Sequence, residues 1–299
     1  MTGGPPALAR LRPLLAEIGD AKRVRVADAP GSLAEQAFAR AWGRLVAGED
    51  AAAVALSEAA AAVARARLAG IDGAVLRTAG LSDGEAREVL RRGFDEVAGP
   101  VDPALRDTLR EALPLVVPAP EPPALAGRLN RQPRAGATAP GRARVIVEPP
   151  ESHGDHCLTV AVYGVLVAPV FGADPVPPFL VGLAHHLHNG ALPDAGFAGE
   201  VLLGSALPRV MATLEERELA ALPAPLARRL RAVLGLRADA GARESQAFHA
   251  ADVLDRVLQV HHHARAAGFT ADQALDDLEL VHAGPVQAFH LDVLAAAGL

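Results

Sequence analysis

The stretch of sequence that decides the fold begins at residues 151–167, which read Glu-Ser-His-Gly-Asp-His-Cys-Leu-Thr-Val-Ala-Val-Tyr-Gly-Val-Leu-Val. It continues at residues 176–189, which read Val-Pro-Pro-Phe-Leu-Val-Gly-Leu-Ala-His-His-Leu-His-Asn. Five of the 11 histidines of the chain lie between residues 151 and 200, and two of them are adjacent at the end of an apolar run. A histidine in such a place is either a satisfied core residue or a metal ligand, and the clustering favours the ligand.

The spacing of residues in this stretch predicts helices. His156, Val160, Tyr163 and Val167 follow one another at steps of four, three and four residues, which places them on one face of a helix. Helical periodicity continues towards the C-terminus, and strand signals are close to absent, so we predict an all-α fold. The helices predicted in this half lie at about residues 155–170, 175–188, 198–205, 208–219, 223–235, 242–265 and 271–281.

The first 114 residues also predict helices. Ser32 with Glu35 and Ser82 with Glu85 have the spacing of a capping box, in which each side chain binds the backbone N–H of the other residue. Proline is tolerated in a first helical turn, so Asp102-Pro103 marks a further helix start. The best-defined helices here run over about residues 33–46, 50–69 and 103–113, and one more begins at about residue 83.

The segment 115–152 separates the two helical halves. It is rich in Pro, Gly and Arg and has no helical period of useful length, although Arg144–Val147 has the composition of a short strand. A stretch of this kind is typical of a linker or of a loop that wraps the next domain. We therefore predict a helical N-terminal region at 1–114, this linker or wrapping loop at 115–152, and a metal-binding helical domain at 153–299.

The composition excludes several classes of function. A formal net charge of −6 provides no basic surface of the kind that binds nucleic acid. The one cysteine, Cys157, excludes an internal disulfide framework and fits a reducing cytoplasm. The N-terminus lacks the pattern of a signal peptide, and the apolar run Cys157–Ala173 is too short and too interrupted to span a bilayer. We expect a soluble, cytoplasmic protein without a membrane partner, and its preference for arginine over lysine is typical of a GC-rich bacterial genome.

A third element follows the two histidine-bearing helices. Residues 251–255 read Ala-Asp-Val-Leu-Asp and lie inside the predicted helix 242–265. The order His156, then His185-His186, then Asp252 resembles the HD-domain superfamily of metal-dependent phosphohydrolases. Members of that superfamily carry a His, a His-Asp doublet and a later Asp on an all-helical scaffold.

The resemblance covers about residues 155–265 and can be followed residue by residue. His156 with Val160-Ala161 matches the pattern of the first helix of the family, residues 181–184 match its small apolar approach to the doublet, and residues 251–255 match its Ala-Asp-x-Leu-Asp pattern. It implies one divalent transition metal ion (zinc, iron, manganese, cobalt or nickel) and leaves a two-metal site open. The implied ligands are His156, His185, His186 and Asp252.

Two positions depart from the family pattern. The aspartate of the doublet is His186 here, and an imidazole ligand favours transition metals over magnesium. Asn189 stands where the 5′-deoxynucleotidase branch has a Glu that activates water, and Asn cannot accept a proton. Asp194 stands at the position of the next family Asp and is our candidate for protonating the leaving group. The nearest candidates for a general base are His188, His153 and Glu200.

Other residues complete the predicted site. His153, Glu244 and His249 are candidates for additional ligands or for residues that orient the ligands. Glu244 lies eight residues before the ligand aspartate, where many members of the family carry a Glu. Arg142 and Arg144 precede the first histidine, where related nucleotidases often place an arginine that contacts phosphate.

The resemblance implies hydrolysis of a small phosphate ester, with nucleotides among the substrates considered. One alternative is a di-iron oxygenase, for which His153, His188 and His249 would supply further ligands. Another is a degenerate domain that binds a ligand or a partner without turnover, which Asn189 favours. The expected partner is a phosphorylated small molecule, and the oligomeric state is left open, with a homo-oligomer among the choices.

Overall fold

The structure, a computed structural model, describes residues 4–136, 138–142, 144, 148–239 and 241–265. These residues form α-helices and short 3-10 helices and include no strand, only two isolated β-bridges, Val26 with Ala29 and Pro133 with Ser152. The predicted all-α fold class is therefore confirmed. The helix predicted at 271–281 lies outside the described residues.

The α-helices lie before, within and after the Pro-rich segment 115–152. Those before the Pro-rich segment are α1 Gly4–Gly19, α2 Leu33–Val46, α3 Ala51–Leu68, α4 Gly73–Thr78, α5 Asp83–Val97 and α6 Pro103–Ala112. Those after it are α8 His153–Phe171, α9 Val176–Ala184, α10 Gly196–Leu203, α11 Leu207–Ala220, α12 Ala224–Leu234 and α13 Arg243–Arg265, and α7 Ala124–Arg131 lies within it. The 3-10 helices are Asp20–Lys22, Leu187–Gly190, Gly204–Ala206 and Gly235–Ala238.

Side-chain caps explain where several helices begin. The capping boxes predicted at Ser32 and Ser82 start α2 and α5, and Asp102 caps α6 with Pro103 in the first turn. Ser152 forms a further capping box with Asp155 at the start of α8, which the sequence analysis did not identify. A side-chain oxygen at the N-cap accepts from otherwise unpaired backbone N–H groups, and its loss costs about 1 kcal/mol.

Two local predictions need correction. The segment 115–152 contains the helix α7, whose Leu125, Ala126 and Leu129 are buried, so the expectation that no helix forms there was wrong. Prolines on either side obscured the pattern of this short helix. In addition, an eight-residue amphipathic helix gains its stability from packing rather than from intrinsic helix propensity, so its local sequence signal is weak. The strand predicted at Arg144–Val147 falls on residues of which only Arg144 is described, and Arg144 has no regular structure.

The helix α8 lies at the centre of the core. All of its residues except Pro169 and Phe171 are buried, and it packs against α1, α2, α3, α7 and α9. Polar contacts also tie it to the N-terminal helices, since Tyr163 Oη donates to the carbonyl oxygen of Leu15 and Ser32 Oγ donates to Asp155. An apolar helix surrounded on all sides has to be a core helix.

The described residues up to Leu258 belong to one compact unit. Its main apolar cluster draws on helices from both sides of the segment 115–152. The described part of a second unit consists of Gln259–Arg265, the last turns of α13. The three-part domain division stays a prediction.

Two helical stretches are long and apolar enough to cross a membrane by length and composition alone, which is weak evidence for a span. The first, His153–Phe171, is α8, and 89% of its apolar window is buried inside the protein, as expected of a core helix. The second, Gly196–Ala220, contains α10 and α11, and none of its apolar window is buried.

A buried ion network holds α2 against α3. Glu58 on α3 accepts from Arg40 Nη2 at 2.6 Å and from Arg44 Nη1 at 2.9 Å, and its side chain is almost fully buried. Burial raises the pKa of Glu58, but the charges of Arg40 and its neighbouring arginines outweigh this effect and lower it overall. Glu58 is therefore ionised, and the network depends on that charge.

Glu58→Gln should lower the free energy of unfolding at pH 7 by about 3 kcal/mol, because it leaves two arginines without the buried charge they share. Since the folded pKa is lowered, the stabilisation is complete above the pKa of the unfolded chain and is lost as the pH falls towards the folded value. Urea denaturation between about pH 6 and pH 3 should therefore show a steeper loss for the wild type than for the variant.

The matched control is Glu111→Gln, which changes an exposed carboxylate and should shift stability by no more than about 0.5 kcal/mol. Equal pH dependence of the wild type and Glu58→Gln would contradict the assignment of this network.

Candidate metal centre

Two imidazoles meet where α8 begins and α9 ends. His156 lies in the first turns of α8, His185 is the C-cap of α9, and their buried rings bring the two Nε2 atoms to 3.1 Å. This approach requires Gly182, because a Cβ at that position would lie 2.5 Å from the backbone of Ala161. Any side chain larger than hydrogen would push α9, and His185 with it, away from α8.

The partners of the two Nδ1 atoms show which nitrogens carry hydrogen. His185 Nδ1 lies 2.8 Å from the carbonyl oxygen of Gly182, and His156 Nδ1 lies 2.7 Å from Asp255 Oδ2. Burial opposes ionisation of Asp255, but the charge of Lys22 and the contact with His156 lower its pKa, so Asp255 accepts. Both Nδ1 atoms therefore donate, and in a neutral ring the lone pair is on Nε2.

Burial, together with the nearby His156, lowers the pKa of His185 to about 3, so this ring is neutral at pH 7. The lone pair of His185 Nε2 consequently points at the Nε2 atom of His156. Two imidazoles that both donate through Nδ1 make a stable pair when a proton or a metal ion lies between their Nε2 atoms. An oxygen acceptor behind each metal-binding imidazole is the usual arrangement in metal sites.

Asp252 on α13 brings a carboxylate to the Nε2 atom of His156. Its Oδ1 lies 3.3 Å from His156 Nε2, and although burial raises the pKa of Asp252, the contact with His156 lowers it overall. Two ligands bound at about 2.0 Å to one tetrahedral ion are about 3.3 Å apart, so separations of this size fit ligands that share an ion. A ring nitrogen of His186 lies within 4.8 Å of ligand nitrogens of His156 and His185, and this group could hold a metal ion.

The second histidine of the doublet, His186, has both nitrogens engaged. Arg134 Nη1 lies 2.8 Å from Nε2, and Asn189 Oδ1 lies 2.8 Å from Nδ1. Since a guanidinium only donates, Nε2 accepts and Nδ1 donates to the Asn189 amide oxygen. Asn189 therefore orients His186, while its own amide group donates to the carbonyl oxygen of Leu192. His186 can bind a metal only when Arg134 releases its Nε2.

Two further histidines are buried beside the doublet. Among the described residues, neither nitrogen of His153 has a hydrogen-bond partner, nor has Nδ1 of His188. Burial lowers the pKa of His188 to about 4 and that of His153 further, so both rings are neutral at pH 7. The His153 and His186 ring centroids are 4.8 Å apart. Buried polar atoms without partners are uncommon in folded proteins, which makes this side of the cluster suitable for a ligand.

Asp194 lies on the same side. Its Oδ2 accepts from the backbone N–H of Ala135 at 3.0 Å, and its Oδ1 accepts from that of Gly196 at 2.8 Å. The distance from His153 Nε2 to Asp194 Oδ2 is 3.7 Å, too long for a hydrogen bond. The carboxylate is therefore fixed by backbone contacts and faces the unpartnered ring of His153.

A second group of possible metal ligands is already paired with the ammonium group of a lysine. Glu151, His156 and Asp255 also have ligand atoms within 4.8 Å of one another. Lys22 Nζ lies 2.5 Å from Asp255 Oδ1 and also donates to Glu151. The ammonium group satisfies both carboxylates, so the Nε2 side of His156 is the place for an added ion.

Two predicted residues have partners outside the cluster, and two others are exposed. Glu244 is in the first turn of α13 and accepts from the backbone N–H of Asp174, about 12 Å along the helix from Asp252. His249 is exposed, and its Nε2 lies 3.0 Å from the carbonyl oxygen of Arg237. Arg142 and Arg144 are both exposed.

Three contributors were missed by the sequence analysis. Asp255 is part of the Ala-Asp-x-Leu-Asp pattern and could have been singled out, since it lies one turn after Asp252. Lys22 carries a weaker signal as the one lysine of the chain. Arg134 carries none, because nothing distinguishes it from the other arginines of the Pro-rich segment.

Comparisons with known proteins find no relative. No family model matches the chain, and neither the curated proteins nor the solved structures provide a match. The resemblance to the HD-domain superfamily rests on the residues and their order, and membership of that superfamily stays a prediction.

His185→Ala and Asp252→Ala should each reduce the metal content of the purified protein to a small fraction of the wild-type value, because each removes a donor whose neighbours remain in place. His261→Ala removes an exposed imidazole and serves as the matched control. Elemental analysis of untagged protein by mass spectrometry measures the outcome. Full occupancy in His185→Ala, or loss in His261→Ala, would contradict this ligand set.

Proposed function

We propose that this protein is a metal-dependent phosphohydrolase that acts on a small phosphate ester, with nucleotides as the first class to test. The observation that supports it is the largely buried group of His156, His185 and His186, whose ligand nitrogens lie within 4.8 Å of one another, with Asp252 Oδ1 lying 3.3 Å from His156 Nε2. The imidazoles of His156 and His185 both donate elsewhere through Nδ1. The order of these residues along the chain, which resembles the HD-domain superfamily, favours phosphoryl chemistry over other uses of a metal.

The donor set suits a transition metal ion. Two imidazoles and one carboxylate favour zinc, iron, manganese, cobalt or nickel, whereas magnesium prefers oxygen ligands and retains waters. Bound at such a site, the ion supplies Lewis-acid polarisation of a phosphoryl oxygen and a coordinated water of lowered pKa. His156, His185 and Asp252 would hold it, and His186 is a fourth ligand available once Arg134 turns away.

Arg134 is the residue to which we assign binding of the phosphate group. Its guanidinium contacts His186, 2.8 Å away, and approaches Glu151 to 3.8 Å, and its side chain is 18% exposed. Phosphate accepts two parallel hydrogen bonds from a guanidinium, which is a stronger interaction than a single bond to an imidazole. An incoming phosphate would therefore draw Arg134 from His186 and free Nε2 of that histidine for the metal.

Proton transfer to the leaving group is assigned to Asp194. Its Oδ2 atom faces His153 Nε2 at 3.7 Å, on the side of the cluster where His153 and His188 have unpartnered nitrogens. Two backbone N–H groups fix the orientation of the carboxylate before any substrate arrives. A group held in place in this way loses little conformational freedom in the reaction.

The two alternatives to hydrolysis predict different metal contents. Oxygen chemistry would need two irons, for which His153 and His188 have nitrogens that lack partners among the described residues. A degenerate binding domain would carry no metal. One ion per chain in untagged protein therefore supports the hydrolase, two irons support the oxygenase, and none supports the binding domain.

A screen of nucleoside monophosphates and generic phosphate esters should detect metal-dependent turnover. Asp194→Asn should lower kcat roughly a hundredfold or more, because an amide cannot donate the proton, while metal content stays unchanged. Asp174→Asn changes another carboxylate that binds a backbone N–H, at the start of α9, and should leave kcat unchanged. The proposal fails if no ester turns over with any of the five transition metals.

Arg134→Met should lower kcat/KM about tenfold to a hundredfold, the range for losing hydrogen bonds to a charged group. Inhibition by inorganic phosphate should weaken in parallel, because both effects depend on the same guanidinium. Arg142→Met removes an exposed arginine from the same segment and is the matched control. A larger effect of Arg142→Met than of Arg134→Met would contradict this assignment and indicate that Arg142, the residue predicted from the sequence, binds the phosphate.

A further inference from the structure

The one lysine of the chain is buried next to the candidate metal centre. Lys22 ends the 3-10 helix that follows α1, and 5% of its surface is exposed, although lysine is among the residue types least often buried. Its partners Glu151 and Asp255 are 129 and 233 residues away in the sequence. A buried ammonium in contact with a site assembled from the other half of the chain requires an explanation.

The contacts of Lys22 lead directly to a predicted metal ligand. Lys22 Nζ lies 2.5 Å from Asp255 Oδ1, and the other oxygen of the same carboxylate lies 2.7 Å from His156 Nδ1. The ammonium thus holds one oxygen of Asp255 and the imidazole holds the other. Lys22 would not coordinate the metal ion itself, because Asp255 and the His156 ring lie between its ammonium group and the proposed position of the ion.

Stability alone does not account for this arrangement. Burying an ammonium and two carboxylates costs several kcal/mol per ion, and well-packed apolar residues of similar volume are often equally stable or better. Buried charges can be retained because they hold neighbouring polar groups in an orientation that apolar residues could not impose. Here the geometry concerned is the orientation of the carboxylate that accepts from His156.

We propose that Lys22 is a positioning residue of the metal centre: by holding Asp255 Oδ1 it orients Oδ2 towards His156 Nδ1 and so leaves His156 Nε2 as the metal-binding atom. The inference rests on the metal site of the proposed function. It gives the N-terminal region 1–114 a role, because the site needs a residue from that region to hold a ligand in place. Partners that orient metal ligands typically affect metal affinity tenfold to a hundredfold.

The test removes Lys22 without changing the net charge near the metal. Lys22→Met alone would also remove a positive charge that repels the ion, and the two effects would oppose each other. The double variant Lys22→Met with Glu151→Gln removes one charge of each sign. The matched control, Arg44→Met with Glu58→Gln, removes another buried ion pair of the N-terminal region.

Two measurements on the full-length chain decide the outcome. Competition with a chelator gives the dissociation constant for zinc, and the visible spectrum of the cobalt-loaded protein reports the ligand geometry. We expect the Lys22 double variant to bind zinc at least about tenfold more weakly, with a changed cobalt spectrum. The control should lose stability but keep the zinc affinity and cobalt spectrum of the wild type.

A folded Lys22 double variant with wild-type zinc affinity and an unchanged cobalt spectrum would overturn the inference while leaving the proposed function intact. Wild-type protein that binds neither zinc nor cobalt would overturn both. If the double variant does not fold, Lys22→Gln with Glu151→Gln takes its place, since the amide at position 22 keeps a donor for Asp255 and the net charge is again unchanged. We expect this variant to weaken zinc binding by a smaller factor, and wild-type affinity in it would also overturn the inference.

Discussion

The close contact between α8 and α9 is the constraint on which the site depends. It is set by Gly182, whose missing side chain lets the backbone of α9 lie against Ala161. Because α8 is buried on nearly all sides, the core fixes its position. The end of α9 can therefore lie close to the first turns of α8 only because residue 182 has no side chain. The 3.1 Å separation of His156 Nε2 and His185 Nε2 is the consequence.

Polar groups buried around this contact are paired in a chain of interactions. Lys22 holds Asp255, Asp255 holds His156, and the carbonyl oxygen of Gly182 holds His185. Each of these contacts compensates the cost of removing a polar group from water. The nitrogens left without a partner belong to His153 and His188, on the side where Arg134 and Asp194 also lie. The cluster therefore has one half in which the polar groups are well paired and another half in which several are not.

Much of the fold could be predicted from local sequence, because capping residues and helical periodicity act within a few residues of each other. The starts of α2, α5 and α6 followed from Ser32, Ser82 and Asp102 for this reason. The helix α7 was missed because its stability comes from burying Leu125 and Leu129 against other elements. From its position in the family pattern Asn189 was interpreted as the place of a lost water-activating Glu, and the structure shows that it contacts His186.

The sequence by itself determined the helical class, most helix boundaries and the histidines and aspartate that meet at the candidate centre, since residue type and spacing carry that information. Only the tertiary structure decided which nitrogen of each imidazole is available and which arginine reaches the site. It also decided that Lys22 contacts residues more than a hundred positions away. These contacts depend on how helices pack in three dimensions, and the spacing of residues along the chain does not encode them.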